Sequence, residues 1–310
     1  MAWPTASYTR SHAQFDAWAA VANSIIDFEP VTMLVNQGDI QLAKSHLDSR
    51  IEIFETKLDD AWVRDTGPTF VRDGENLVAV SWVFNGWGSQ GNWATWEFDN
   101  QVSETVAELA GKASVRSRLV NEGGGIHVNG AGKIMLTETV QLGRGRNPDW
   151  SKAEVEAELA KQLGVSEFIW LKRGLTRDYE DFGTQGHIDI VACFSDENTV
   201  LYHDQQNPKH PDYAVSREVE DTLGQYRLKL VGVPAPKQLE DHDGWVDYSY
   251  INHYIINGAV ILCSFDDEND QVAQSILKKA YPGREILLVD ARDIFAVGGG
   301  IHCITQQQPK

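Results

Sequence analysis

The chain has 310 residues, 42% of them hydrophobic, which is enough apolar material for one large domain or two ordinary ones. Its 27 basic residues against 45 acidic ones leave a formal charge of −18, which repels phosphate backbones and anionic lipid and argues against nucleic acid and membrane as partners. No apolar window is long enough to span a bilayer, residues 1–24 lack the apolar stretch of a signal peptide, and the three cysteines lack paired spacing, so a cytoplasmic setting is expected.

In chain order, apolar runs that read as strands alternate with amphipathic stretches that read as helices. A helix over residues 11–27 leads to a strand at 31–35, and a helix over 39–49 to a strand at 51–54. Strands at 69–71 and 77–84 precede a helix over 100–111, and a strand at 133–137 precedes a helix over 151–163. Asp149 or Ser151 can cap that last helix, with Glu154 completing a capping box and Gly164 closing the far end. Strands at 168–171, 188–194 and 200–203, a helix over 214–225, a strand over 254–263, a helix over 269–280 and a strand at 286–289 complete the series. The class is mixed α/β. No linker or break in composition divides the chain, so residues 1–310 read as a single catalytic domain.

One run occurs twice. Gly123, Gly124, Gly125, Ile126, His127 and Val128 return 175 residues later as Gly298, Gly299, Gly300, Ile301, His302 and Cys303. Each copy follows a helix, a strand and a loop and reads as a glycine-rich approach to a strand, which points to a repeated mixed unit of about 60 residues and about five units in the chain. Only the second copy carries a cysteine.

Cys193 and Cys263 lie inside apolar runs and read as core residues, whereas Cys303 sits between glycines and a glutamine-rich tail, where backbone can approach a ligand closely. His187 and Asp189, two residues apart on the expected strand, would share one face of it. Asp65 lies in a turn-rich stretch from Trp62 to Pro68, and Glu122 precedes the first glycine run. A thiol, a histidine and two or three carboxylates have guanidinium as a natural common target. Carboxylates accept its N–H donors in pairs, the thiolate attacks its central carbon, and histidine protonates the departing ammonia and then activates water. A zinc site from His187, Asp189, His302 and Cys303 is disfavoured, because adjacent His302 and Cys303 would face opposite ways along a strand and no paired ligand spacing is present. No metal is expected.

The motifs WVRDTGP from Trp62, NGWG from Asn85, EGGGIHV from Glu122, GHID from Gly186, SYIN from Ser249 and GGGIHCITQQQ from Gly298 resemble the agmatine deiminase family of the guanidine-modifying (pentein) superfamily, in order along essentially the whole chain. The resemblance implies a five-fold pseudosymmetric α/β propeller of repeated ββαβ-like units around a central channel. It implies hydrolysis of agmatine to N-carbamoylputrescine and ammonia through a cysteine thiouronium, in putrescine and polyamine biosynthesis, by a homodimer that takes a small cationic guanidine. Residue by residue it implies Cys303 as nucleophile, His187 as general acid and base, and Asp65 and Asp189 as the carboxylates that grip the guanidinium. Glu122 and Trp62 match motif positions near the site, and Trp87 and Trp93 could shape the channel for the alkyl chain. Two departures stand out. Gln185 occupies the place before Gly186 and His187 where familiar members carry an acidic residue, with Asp178, Glu180 and Asp181 earlier; and family members usually extend beyond the position of Met1. The alternatives are a deiminase or amidinotransferase acting on arginine, a guanidino acid or peptidyl-arginine, for which Arg144, Arg146 and Arg177 are candidate carboxylate clamps, and a non-catalytic binding propeller.

Overall fold

The architecture is built from one recurring arrangement of strands. A computed structural model describes residues 1–90 and 93–309. In four places a short strand turns back into an antiparallel partner, a helix crosses over, and a third strand joins parallel to the second. Thr69–Asp73, Asn76–Val83 and Ala113–Val120 form the first such sheet, with helix Asp99–Leu109 in the crossover. Ile126–Val128, Lys133–Thr137 and Glu167–Leu171 form the second around helix Lys152–Leu163. Ala192–Phe194, Thr199–Asp204 and Lys229–Pro234 form the third around Asp212–Leu223, and Tyr254–Ile256, Ala259–Ser264 and Glu285–Asp290 the fourth around Asp270–Ala280. The fifth sheet pairs Thr32–Val35 parallel with Glu52–Glu55, and Ala2 bridges to Leu34 alongside it. A parallel partner cannot be reached by a tight turn, which is why each third strand is preceded by a helix. The middle strands, such as the AVILCS run of Ala259–Ser264, are near-continuously apolar because both faces are covered.

All six expected helices are present within a few residues of their expected ends. Ser151 is the cap of Lys152–Leu163: its side chain accepts from the Glu154 N–H, the Glu154 carboxylate accepts from the Ser151 N–H, and Gly164 takes the left-handed conformation at the other end.

Three strand expectations are corrected. The run at 188–194 is broken: Ile188–Ile190 is a single 3₁₀ turn, and only Ala192–Phe194 is a strand. Val191 N–H donates back to the Ile188 carbonyl and the Ile190 carbonyl accepts from Ser249 Oγ, so these groups are satisfied outside any ladder. The run at 254–263 is a hairpin, because Asn257 and Gly258, the latter at φ +76°, reverse the chain between Ile256 and Ala259. The second glycine run leads into turns at residues 301–304 and not into a strand, with Thr305 N–H donating to the His302 carbonyl.

The Ser151→Ala variant should lose about 1 kcal/mol of stability in urea denaturation, with activity unchanged, since the capping box is exposed at a helix end far from the buried carboxylates described below.

Candidate active site

A junction segment precedes the first strand of four units, and these four, together with the stretch after the final strand, contribute to one buried cluster. Trp62 to Thr66 precedes the strand at Thr69, Asn121 to Gly125 the strand at Ile126, and His187 to Ile190 the strand at Ala192. Ser249 to Asn252 precedes Tyr254, and Gly298 to Ile304 follows the final strand. The first and last junctions are tied together directly, with Arg64 N–H donating to the Cys303 carbonyl at 3.1 Å and Arg64 Nε to the His302 carbonyl at 3.2 Å.

Asp65, His187 and Asp189 converge on Gly124. A Cβ built on that glycine would lie 2.5 Å from His187 Nδ1, 2.9 Å from Asp65 Oδ1 and 3.1 Å from Asp189 Oδ2, so only glycine leaves these groups open to one another. The Gly124 N–H and the Trp87 indole N–H donate to the two oxygens of Asp65, each at 2.9 Å. Trp87 reaches this position from a left-handed backbone conformation, φ +53°, unusual for a tryptophan. His187 Nδ1 lies 3.8 Å from Asp65 Oδ1, and Nε2 lies 3.3 Å from Glu122 Oε2. Cys303 Sγ is 3.5 Å from Asp189 Oδ2 and accepts from Asn252 Nδ2 at 3.3 Å, while His302 Nδ1 is 2.8 Å from the same Asp189 oxygen. A Cβ on Gly299 would sit 2.7 Å from the Trp62 ring and 3.2 Å from Cys303 Sγ, so Trp62 flanks the thiol.

Burial sets the proton inventory. It lifts the Asp65 carboxyl to about 6, against the opposing pull of His187, and raises Asp189 as well. Burial alone would strip the proton from His187, but Asp65 and then Glu122 return it and raise the imidazole to about 9. Burial also pushes against the Glu122 carboxylate, yet Arg146 and His187 more than offset this and hold it below its ordinary range. The Cys303 thiol is raised well above its ordinary value by burial and by Asp189 and Asp65, while burial and Arg64 keep His302 neutral, so its Nδ1–H donates to Asp189.

Every predicted site residue, Cys303, His187, Asp189, Asp65, Glu122, Trp62 and Trp87, lies in or beside this cluster. The reasoning that linked some of them is corrected. His187 and Asp189 do not share a strand face; they flank the first residue of a 3₁₀ turn. His302 and Cys303 do not point to opposite faces, because a turn brings both to Asp189 Oδ2. Asp178, one of the acidic residues that lie before Gln185, accepts from the backbone N–H groups of Thr184, Gly186 and His187 and so shapes the loop that presents His187. Gln185 Nε2 donates to Gln90 Oε1 at 2.9 Å, and Gln90 Nε2 to the Trp87 and Gly183 carbonyls, which joins the two loops flanking the site.

Two residues have roles that the sequence does not show: Arg146, a candidate clamp for a substrate carboxylate, and Asn252, the last residue of the SYIN motif. Arg146 donates from Nε to both Glu122 oxygens at 2.9 Å and from Nη2 to the Thr184 carbonyl, so it is committed to Glu122; Arg177 pairs with Asp241. Nothing local in the sequence marks Arg146 for this. Asn252, in contrast, stands at a unit junction, and the repeat could have marked it.

Residues 1–309 match the family model described as Porphyromonas-type peptidyl-arginine deiminase. A Streptomyces coelicolor protein named "putative agmatine deiminase" is 52% identical over all of this chain and 95% of its own length. The agmatine deiminase of Pseudomonas aeruginosa strain LESB58 is 40% identical over 94% of this chain and 86% of its own. Among solved structures, that of the Enterococcus faecalis agmatine deiminase superposes with a TM-score of 0.93 at 30% identity, covering 100% of this chain and 92% of that one. By sequence and by fold, the chain belongs to the Porphyromonas-type peptidyl-arginine deiminase family and, within it, to the agmatine deiminases.

Proposed function

We propose that this protein hydrolyses agmatine to N-carbamoylputrescine and ammonia through a thiouronium on Cys303. The observation that carries the reading is the convergence of Asp65, His187 and Asp189 on the bare Cα of Gly124, with Cys303 Sγ 3.5 Å from Asp189. Two buried carboxylates with raised proton affinity are short of a cation, and a guanidinium supplies one with paired donors of matching geometry. The same cation offsets the carboxylates that keep the thiol protonated, so the nucleophile forms only when substrate is bound.

The steps then balance. As the guanidinium docks, Cys303 gives up its proton to solvent; the thiolate Sγ then bonds to the central guanidinium carbon, one C–N bond breaks, and ammonia leaves with the proton held by His187. Neutral His187 next takes a proton from water, which attacks the same carbon; the C–S bond breaks, and the ureido product and free thiol are regenerated. Glu122, fixed by Arg146, keeps the His187 proton in place for the first step and orients the ring for the second. Trp62 beside the thiol and Trp87 on Asp65 wall the reacting carbon, and Trp93 stacks on Trp87 with centroids 5.5 Å apart.

Agmatine rather than an α-amino acid guanidine is favoured because Arg146 and Arg177, two of the three candidate carboxylate clamps, are already engaged by acidic side chains. Five of the six described sheets, all but the short hairpin of Glu240–Asp241 with Gly244–Trp245, are read as the blades of a five-fold pseudosymmetric α/β propeller in one catalytic domain over residues 1–310. A cytoplasmic homodimer acting in putrescine biosynthesis, without metal or organic cofactor, fits this reading.

With agmatine, arginine and 4-guanidinobutyrate compared by ammonia and ureido-product release, turnover should be confined to agmatine and fall more than about 10³-fold in Cys303→Ala. Arginine turned over as well as agmatine would change the substrate; an active Cys303→Ala would remove the nucleophile. The pH profile of kcat/KM for agmatine should be bell-shaped, with an acid limb near 6, below which Asp65 is protonated and cannot grip a cation, and an alkaline limb near 9, above which His187 has lost its proton. Asp65→Asn should remove the acid limb as well as lower kcat/KM, and an acid limb retained in that variant would contradict the assignment.

A further inference from the structure

A cavity of about 320 Å³ lies against the catalytic cluster. Asp189 and His302 line it, together with Arg64, His127 and His253, whereas Cys303, His187, Asp65, Trp62, Trp87 and Trp93 do not. Burial gives it a direction. Asp189 is 2% exposed, while Val128 and Ile255, which also line it, are 41% and 37% exposed, so it runs from a mouth between two hairpins inward to the catalytic carboxylate. It is therefore a different approach to the reacting centre from the aromatic side, where Trp93 packs against Trp87 and Phe182, and Phe182 against Tyr8.

The lining suits small polar molecules and not the substrate. Arg64 Nη2 and Asp189 Oδ1 are buried without a hydrogen-bond partner among the described residues, and such groups are satisfied by water; the volume accommodates about ten molecules. The Arg64 guanidinium, together with histidines left uncharged by burial (His127 is pushed down to about 3 and His253 to about 4), gives a guanidinium nothing to balance its charge along the way, while water and neutral ammonia meet donors and acceptors on Arg64, the histidines, Gln306 and Gln307, set among apolar side chains such as Phe70 and Ile251.

The chemistry needs such a route. After the first step ammonia must leave and a water must reach the thiouronium carbon, yet the alkyl arm still fills the side through which it came. We propose that the cavity is a rear passage, through which one water enters and one ammonia leaves per turnover past His302 and Asp189, while the alkyl thiouronium still occupies the aromatic side. This rests on the thiouronium reaction proposed above.

Val128→Trp and Ile255→Trp, singly and together, test it by narrowing the mouth from two different hairpins at exposed positions that touch no reacting group. Rapid-quench mass spectrometry of intact protein during agmatine turnover should show the Cys303 adduct forming in each variant but being hydrolysed about 5- to 10-fold more slowly, so that it accumulates and kcat falls, with thermal stability and circular dichroism unchanged. Val128→Ala, which widens the mouth, should hydrolyse the adduct at the parental rate. An adduct lifetime unchanged in the double variant would overturn the passage while leaving the reaction intact. A parent enzyme that turns over agmatine and forms no Cys303 adduct would sink the thiouronium chemistry and the passage with it.

Discussion

Charge held away from water is the constraint on which the rest of this structure depends. Asp65, Glu122 and Asp189 are each at least nine-tenths buried, within reach of one imidazole and one thiol. Burying isolated carboxylates costs far more than a fold can offset, so each must find a cation, a set of donors or a proton. Glu122 takes Arg146. Asp65 takes the Trp87 indole and the Gly124 N–H, but these two neutral donors leave it with a raised proton affinity, and Asp189 keeps one oxygen without a protein partner. The remaining demand for positive charge is what a guanidinium fulfils, and it arises before substrate is present. A site of this kind binds its substrate and readies its nucleophile by the same electrostatic event.

The repeat explains how these groups meet. Residues far apart in sequence, such as Asp65 and Cys303, occupy the same place in successive units, the junction just before or after a unit's strands. Four units repeat hairpin, helix and parallel strand, so equivalent junctions meet at the cluster, and small differences between copies assign different roles. One junction supplies a carboxylate on a helical turn, one a glycine whose missing Cβ leaves room, and one a cysteine. The front wall of tryptophans and the polar cavity behind Asp189 then divide traffic by chemistry, with the alkyl cation on one side and water and ammonia on the other.

Much of this was legible in the chain itself. The six helices were readable because each carries a long amphipathic pattern, and the Ser151 to Glu154 box because capping is a local interaction. The duplicated glycine run exposed the repeat and singled out Cys303. What failed was local geometry decided by tertiary partners. Ile188 to Ile190 has the composition of a strand, but Ser249 and Asp178 satisfy the neighbouring backbone and bend it into a turn. His187 and Asp189 therefore reach the site by a different path from the one their spacing suggested. Arg146 was invisible as a partner of Glu122 because that contact spans 24 residues, from the junction before the second unit to the loop that precedes its helix, and no local pattern links the two. The work of Asp178, which holds backbone N–H groups of the loop before His187, likewise depends on how that loop folds and has no local signature.

The most direct test of the central claim is proton release on binding, measured by titration calorimetry of Cys303→Ala with agmatine in buffers of different ionisation enthalpy. If a guanidinium supplies the cation that Asp65 lacks, binding drives off the proton this carboxyl holds near its midpoint of about 6. About half a proton should be released per agmatine at pH 6 and close to none at about pH 8. Binding without proton release at pH 6, or with proton uptake, would contradict the account.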